Sequence, residues 1–237
     1  MWLVFVDETS DVKFKNYFGI SVAIVNSSFY PGLKRDAQQL LIDSGWDPQI
    51  EFKGSCIFSA TKGCPSVSVE KRIELASALL DLNVANKNRR MKFCYVRMDS
   101  TNQKKDYLTF LPLLFRKALP KAESGRDKDL LCITCDKRSD ISANDIQAAV
   151  KPIIDEKCFV LYEDICTISS NFQTIGLLFA DIVGYLVARI DTISRDSDLF
   201  DNIPKELFEQ NAKIRKLQSS SALISKIKKL SLFEVKR

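Results

Sequence analysis

Four acidic residues stand out because each interrupts or ends an apolar stretch: Asp7, Glu51, Asp136 and Asp181. Asp7 follows the run Trp2–Val6 in "MWLVFVDETS", and Asp136 follows "LLCITC". Asp181 is the single charge between Asn171 and Ala188, and Glu51 sits in "QIEFKGSCIF" with Lys53 two residues on. Carboxylates crowded together cannot all stay ionised unless something positive compensates them. A pair of Mg²⁺ or Mn²⁺ ions is the natural compensator, because hard cations prefer oxygen ligands. Two such ions ~4 Å apart hold the attacking and leaving oxygens of a phosphodiester in line. Each acid also has a plainer explanation. Asp7 and Asp136 read equally as turn acids where a strand stops, and Asp181 as one half of a structural ion pair. Glu51 carries the least weight alone. The conjunction of the four is what points to a site.

Composition narrows the chemistry further. The chain of 237 residues contains no histidine. That removes Ser-His-Asp and Cys-His nucleophile chemistry, histidine general acid–base catalysis and histidine metal sites together. Seven cysteines lie scattered within apolar stretches, as suits reduced core thiols in the cytoplasm. Cys132 and Cys135 form a C-x-x-C, but on a strand residues three apart point to opposite faces, and no second pair follows to complete a zinc site. The longest apolar run, Ile175 to Ile190, is shorter than the ~20 residues of a membrane span. It also carries Asp181, which would cost roughly 3 kcal/mol at a bilayer centre. A buried helix is expected there. The opening lacks the basic region and cleavage site of a signal peptide.

The elements that must position the acids follow from periodicity. Strands are expected at Trp2–Val6, Tyr17–Val25, Met91–Met98, Leu130–Cys135 and Cys158–Tyr162, each short, rich in β-branched, aromatic or cysteine residues and bounded by turn residues. Helical patterns are expected in "SVEKRIELASALLDL" behind a Ser68 cap, in "DYLTFLPLLFRKAL" interrupted by Pro112, and in "SANDIQAAVKPIID" capped by Ser142. Leading strands followed by strand–helix alternation predict an α/β fold with a mixed sheet covered by helices. Acids at the ends of adjacent core strands would then share one rim of the sheet, and an acid on a helix packed across that rim would join them.

The net charge is +5, and from Lys205 to Arg237 nine Lys and Arg stand against three Glu. A catalytic domain at 1–200 and a basic helical extension at 201–237, packed on or beside it, are expected. Such a tail suits an anionic partner, nucleic acid being the commonest, or a solvated helix face. Leu223, Ile227 and Leu230 repeat at helical spacing within it, a stripe for its own domain, a second copy or a protein partner.

The pieces "VFVDETS", "YFGISVAIV", "EFKGSCIF", "ITCDKRSD" and "IGLLFADIVGYLVAR", spread over residues 2–190, resemble the domain-of-unknown-function family 3800, a branch of the ribonuclease-H-like superfamily. Members of that family start with a strand ending Asp-Glu-Ser-Gly, carry Glu-x-His or Glu-x-Lys, and end on a helix reading Gln-x-Ala-Asp. The resemblance implies a ribonuclease-H-like mixed β-sheet flanked by helices. It implies Asp7 as the central metal carboxylate, Glu51 and Lys53 as the Glu-x-Lys element, Asp136 as the later strand acid and Asp181 as the helix acid. Two departures weaken the pattern: Thr9-Ser10 replace Ser-Gly, and Leu178 stands where glutamine is usual, with Gln173 five residues too early. An Asp-x-Asp phosphatase motif is absent, since the third position is Thr9, and no glycine-rich phosphate loop follows Asp7. The expected activity is that of a metal-dependent nuclease in which Asp7, Glu51, Asp136 and Asp181 bind two Mg²⁺ or Mn²⁺, with Lys53, Lys137 or Arg138 contacting phosphate. The alternative is a nucleic-acid-binding or protein-interaction module that kept the fold and lost the chemistry.

Overall fold

In a computed structural model of the chain, residues 1–10, 16–59, 61–84, 91–120, 128–169, 171–195, 223 and 233–235 are described. The apolar opening forms β1 (Trp2–Ser10), which turns back into β2 (Tyr17–Asn26). The two pair antiparallel over the whole of β1, from Trp2↔Asn26 to Ser10↔Phe18. Because that pairing continues past Val6, β1 outlasts its apolar run and takes Asp7 into the strand rather than leaving it in a turn. Two further strands, β3 (Lys92–Asp99) and β4 (Asp129–Asp136), flank this hairpin, β3 antiparallel to β2 and β4 parallel to β1. On the far side of β4 the short β5 (Phe159–Leu161) and β6 (Cys166–Ile168) each pair with part of its length. At the opposite edge β7 (Phe233–Val235) runs parallel to β3. The sheet order is β5-β4-β1-β2-β3-β7, with β6 beside β4. This is a mixed sheet flanked by helices, the α/β architecture expected from the sequence.

Helices cover both faces. One face carries α1 (Tyr30–Asp43), α2 (Val69–Val84) and α5 (Ile175–Arg195), which bury Leu41, Leu79 and Phe179 against Phe5, Ala23 and Phe93 of the strands. The other carries α3 (Gln103–Ala118) and α4 (Ala143–Glu156), packed through Leu111, Phe115 and Val150 on Val4, Val6 and Val22. Ser142 caps α4 by a reciprocal box, its Oγ accepting from Asp145 N–H at 3.1 Å while Asp145 accepts from Ser142 N–H at 3.1 Å. Pro112 and Pro152 are both tolerated inside their helices. The helix α1 and the strands β6 and β7 were not expected from periodicity. Most of the anticipated helical tail lies outside the described residues. Of its described parts, Leu223 is buried in the core beside α5, and Phe233–Val235 is strand rather than helix because it completes the β3 edge. None of the seven cysteines forms a disulfide, and Cys135 lies in the α3/α4 core with Cys132 facing the other way. Among the described residues no helix is long and apolar enough to cross a membrane.

Candidate active site

Strand alternation decides which acids meet. Val4 and Val6 belong to the α3/α4 core and Phe5 to the opposite one, so Asp7 points toward α5 and Glu8 away from it. The parallel register of β1 and β4 runs to Val6↔Cys135, and one step further it sets Asp7 beside Asp136 on that same face. Across them lies α5, and it lies close because its contact stripe is small. A Cβ on Gly176 would fall 2.3 Å from the Phe5 ring, and one on Gly184 2.6 Å from Thr9 Oγ1 and 2.9 Å from Ser21 Oγ. Between these two glycines Ala180 offers its carbonyl to the Ser21 hydroxyl at 2.8 Å. The same hydroxyl is 3.2 Å from the carbonyl of Asp7, so Ser21 ties the backbone before Asp181 to that of Asp7.

A loop after α1 supplies the fourth side of the site. Gly54 opens a 3₁₀ turn (Gly54–Cys56), and its N–H donates to Asp181 Oδ2 at 2.6 Å. Only glycine fits there, since a Cβ would stand 2.5 Å from Tyr185 Cβ. Immediately before it, Lys53 Nζ pairs with Glu51 Oε2 at 3.1 Å. The loop is built around Arg72 of α2, which is 4% exposed. Its guanidinium donates to the carbonyls of Val67 (2.8 Å), Cys56 (3.2 Å), Ser59 (2.7 Å), Lys62 (2.6 Å) and Cys64 (2.9 Å).

The acids feel one another. Burial pushes the Asp7 carboxyl well above the usual carboxylate range, and Asp181, Glu8 and Asp136 push it further, against one N–H donated by Glu8 at 2.8 Å. Asp181 is also raised by burial and by Glu51 and Asp136, although the Gly54 N–H and the Lys53 ammonium favour its ionised form. The structure therefore brings Asp7, Asp136, Asp181 and Glu51 into one negative field. It does not bring them into contact: among the described residues no three acidic or cysteine side chains converge closely enough to hold a metal ion as they stand. Part of the reason is local, because Glu51 is taken by Lys53 and Asp181 by Gly54. In donor chemistry the set fits a hard divalent cation, being all carboxylate and short of positive charge.

The three expected phosphate contacts separate. Lys53 is half-exposed beside the acids, and Lys137 is exposed just after Asp136. Arg138 is on the other face of the sheet. It reaches Glu8 Oε1 at 3.4 Å and Asp140 Oδ1 at 2.9 Å, and stacks over the Phe18 and Tyr107 rings at 5.6 and 5.4 Å. Its guanidinium thus clamps the end of β1 to the end of β4 from behind. Leu178, which stands where the resembling family has glutamine, is buried in the apolar core, and Gln173 five residues before it is turned to Gln38 at 2.8 Å. Sequence reasoning missed Ser21, Gly54, Arg72 and Gly184. Ser21 left a signal, as the single serine inside the largely apolar "YFGISVAIV". The others act through loop and helix contacts that have no period.

No family model and no curated protein matches the chain. Among solved structures it is similar to a chain of the PCNA:RNase HII complex from Archaeoglobus fulgidus, at 9% identity and a TM-score of 0.46, over 98% of this chain and 94% of that one. It is also similar to ribonuclease H2 from Pyrococcus horikoshii OT3, at 12% identity and a TM-score of 0.42, over 96% of this chain and 99% of that one.

Proposed function

We propose that the protein is a metal-dependent nuclease of the cytoplasm that hydrolyses phosphodiester bonds in RNA or DNA, related to the domain-of-unknown-function family 3800. The observation that carries this reading is the placement of Asp7 and Asp136 one step past the last β1–β4 pair, on adjacent parallel strands under Asp181 of α5, three carboxylates in one shared field. Asp7, Glu51, Asp136 and Asp181 would hold two Mg²⁺ or Mn²⁺, which when bound would polarise the phosphoryl group and lower the pKa of a water. The chain's own contributions are positional. Ser21 and the small face of α5 hold Asp181 against β1, and the Gly54 N–H fixes the direction of its carboxylate. Lys53 and Lys137 offer cationic heads on flexible stems to a phosphate. Arg138 serves the site by bracing the β1 and β4 ends rather than by meeting substrate.

A second reading, a nucleic-acid-binding or protein-interaction module without catalysis, is favoured by Leu178 in the core and by acids that, among the described residues, do not converge on one point. One assay separates the two. Labelled single-stranded RNA, single-stranded DNA, duplex DNA and a hybrid are incubated with wild type, Asp7→Asn and Asp181→Asn, with and without Mn²⁺. Metal-dependent cutting lost in both variants is expected. Shifted migration without cutting on any substrate would replace the first reading by the second.

A further inference from the structure

The described part of the site contains a cation of its own. Lys53 Nζ is 3.1 Å from Glu51 Oε2, and the next residue, Gly54, is bonded through its N–H to Asp181. Lys53 is therefore anchored at the mouth of the carboxylate group by the same short segment that contacts Asp181. Its side chain is 49% exposed and that of Glu51 20%, so charge rather than packing holds the pair. Asp181 and Asp136 both act on Lys53 as well as Glu51, raising its pKa against the effect of burial. Arg138 is on the other side of the sheet and Lys137 is exposed.

We propose that the Lys53 ammonium is the built-in counter-ion of the carboxylate site, and that a divalent cation enters by displacing it from Glu51. The proposal rests on the metal-site reading above. Glu51 Oε2 cannot ligate a divalent cation while it holds the Lys53 ammonium at 3.1 Å, and a half-exposed Lys–Glu pair is weak and readily exchanged. Displacement frees Glu51 as a ligand. It also leaves the ammonium on a flexible four-carbon stem at the entrance, where a phosphate would arrive. The dispersal of the acids and the position of Lys53 then have one explanation.

The test is Mn²⁺ binding by the full chain, followed by titration calorimetry, for wild type, Lys53→Met, Lys53→Arg and Asp181→Asn. Lys53→Met, a change at a half-exposed position, is expected to bind Mn²⁺ roughly tenfold tighter than wild type or more. Lys53→Arg, which keeps the charge, is expected to stay near wild type, and Asp181→Asn to bind least. Equal or weaker binding by Lys53→Met, with binding still lost in Asp181→Asn, overturns the counter-ion role and leaves the metal site standing. Tightening in Lys53→Arg as large as in Lys53→Met overturns the charge argument. No binding by either wild type or Lys53→Met overturns the metal site and the counter-ion together.

Discussion

Replacing Arg72 by methionine is the most demanding test of how the site is held. The guanidinium is 4% exposed and serves five backbone carbonyls of the loop between Cys56 and Val67. Hydrogen bonds from a charged donor are worth roughly 1.5–3 kcal/mol each, so the five carbonyls gain far more from Arg72 than the net loss on mutation will show. Removing the cation also removes its own desolvation cost, and the loop will relax to admit water. A buried carbonyl left unpaired costs about 1–3 kcal/mol, and with most of the five rehydrated we take about 3–5 kcal/mol as the expected loss. For a domain of this size each kcal/mol lowers the melting temperature by about 2–4 °C, which predicts a fall of about 6–20 °C. Lysine at the position has three N–H donors for five carbonyls and should lose an intermediate amount. Thermal and urea unfolding of Arg72→Met, Arg72→Lys and wild type reads this directly. A loss below about 1 kcal/mol in Arg72→Met, or none in Arg72→Lys against a large loss in Arg72→Met, would refute the reasoning that carbonyl satisfaction by the fork organises the loop.

Three further outcomes are expected. Glu8 has a buried oxygen without a partner, and burial raises its carboxyl from 4.5 to about 7 against the pull of Arg138. A raised carboxylate contributes stability that is present below pH ~4.5 and lost as pH rises through ~7, so the stability of wild type relative to Glu8→Gln should fall by about 2–3 kcal/mol across that window. A pH-independent difference in urea unfolding would contradict it. Gly184→Ala would push a methyl into Thr9 Oγ1 and Ser21 Oγ, at 2.6 and 2.9 Å. It should cost about 1–3 kcal/mol by lifting α5 from the sheet, and unchanged stability would show that the contact yields freely. Cys158 is exposed just after α4 with φ of 59°. Cys158→Gly should gain up to about 1 kcal/mol in thermal unfolding, whereas a loss would mean that the thiol itself holds the turn.

The parts of the fold that announce themselves in the sequence are those with a period. Runs such as "WLVFV" and "LLCITC" carry enough β-branched and apolar residues to mark β1 and β4, and the Ser142 box marks the start of α4. Boundaries were less legible, because pairing extends strands beyond their apolar residues. Asp7 belongs to β1 for that reason: β2 offers partners as far as Ser10. β6 and β7 are three residues each and exist only because β4 and β3 have edges to complete. In the site, the side of β1 on which Asp7 lies follows from alternation, whereas the route of Arg138 to the opposite face does not. That route depends on the turn after Asp136 and on two aromatic rings supplied by β2 and α3.

The adjacent acids of β1 have a consequence for how the protein can change over time. Asp7 and Glu8 are neighbours along the chain but belong to different layers, one under α5 and the other behind the sheet with Arg138 and Tyr107. A single-residue insertion or deletion upstream in β1 would exchange them, sending each carboxylate into the other's surroundings. The strand is thus locked in length between its first residue and Glu8. Divergence in this architecture should accumulate at the β5 and β7 edges and leave the strand residues between Trp2 and Glu8 unchanged in number.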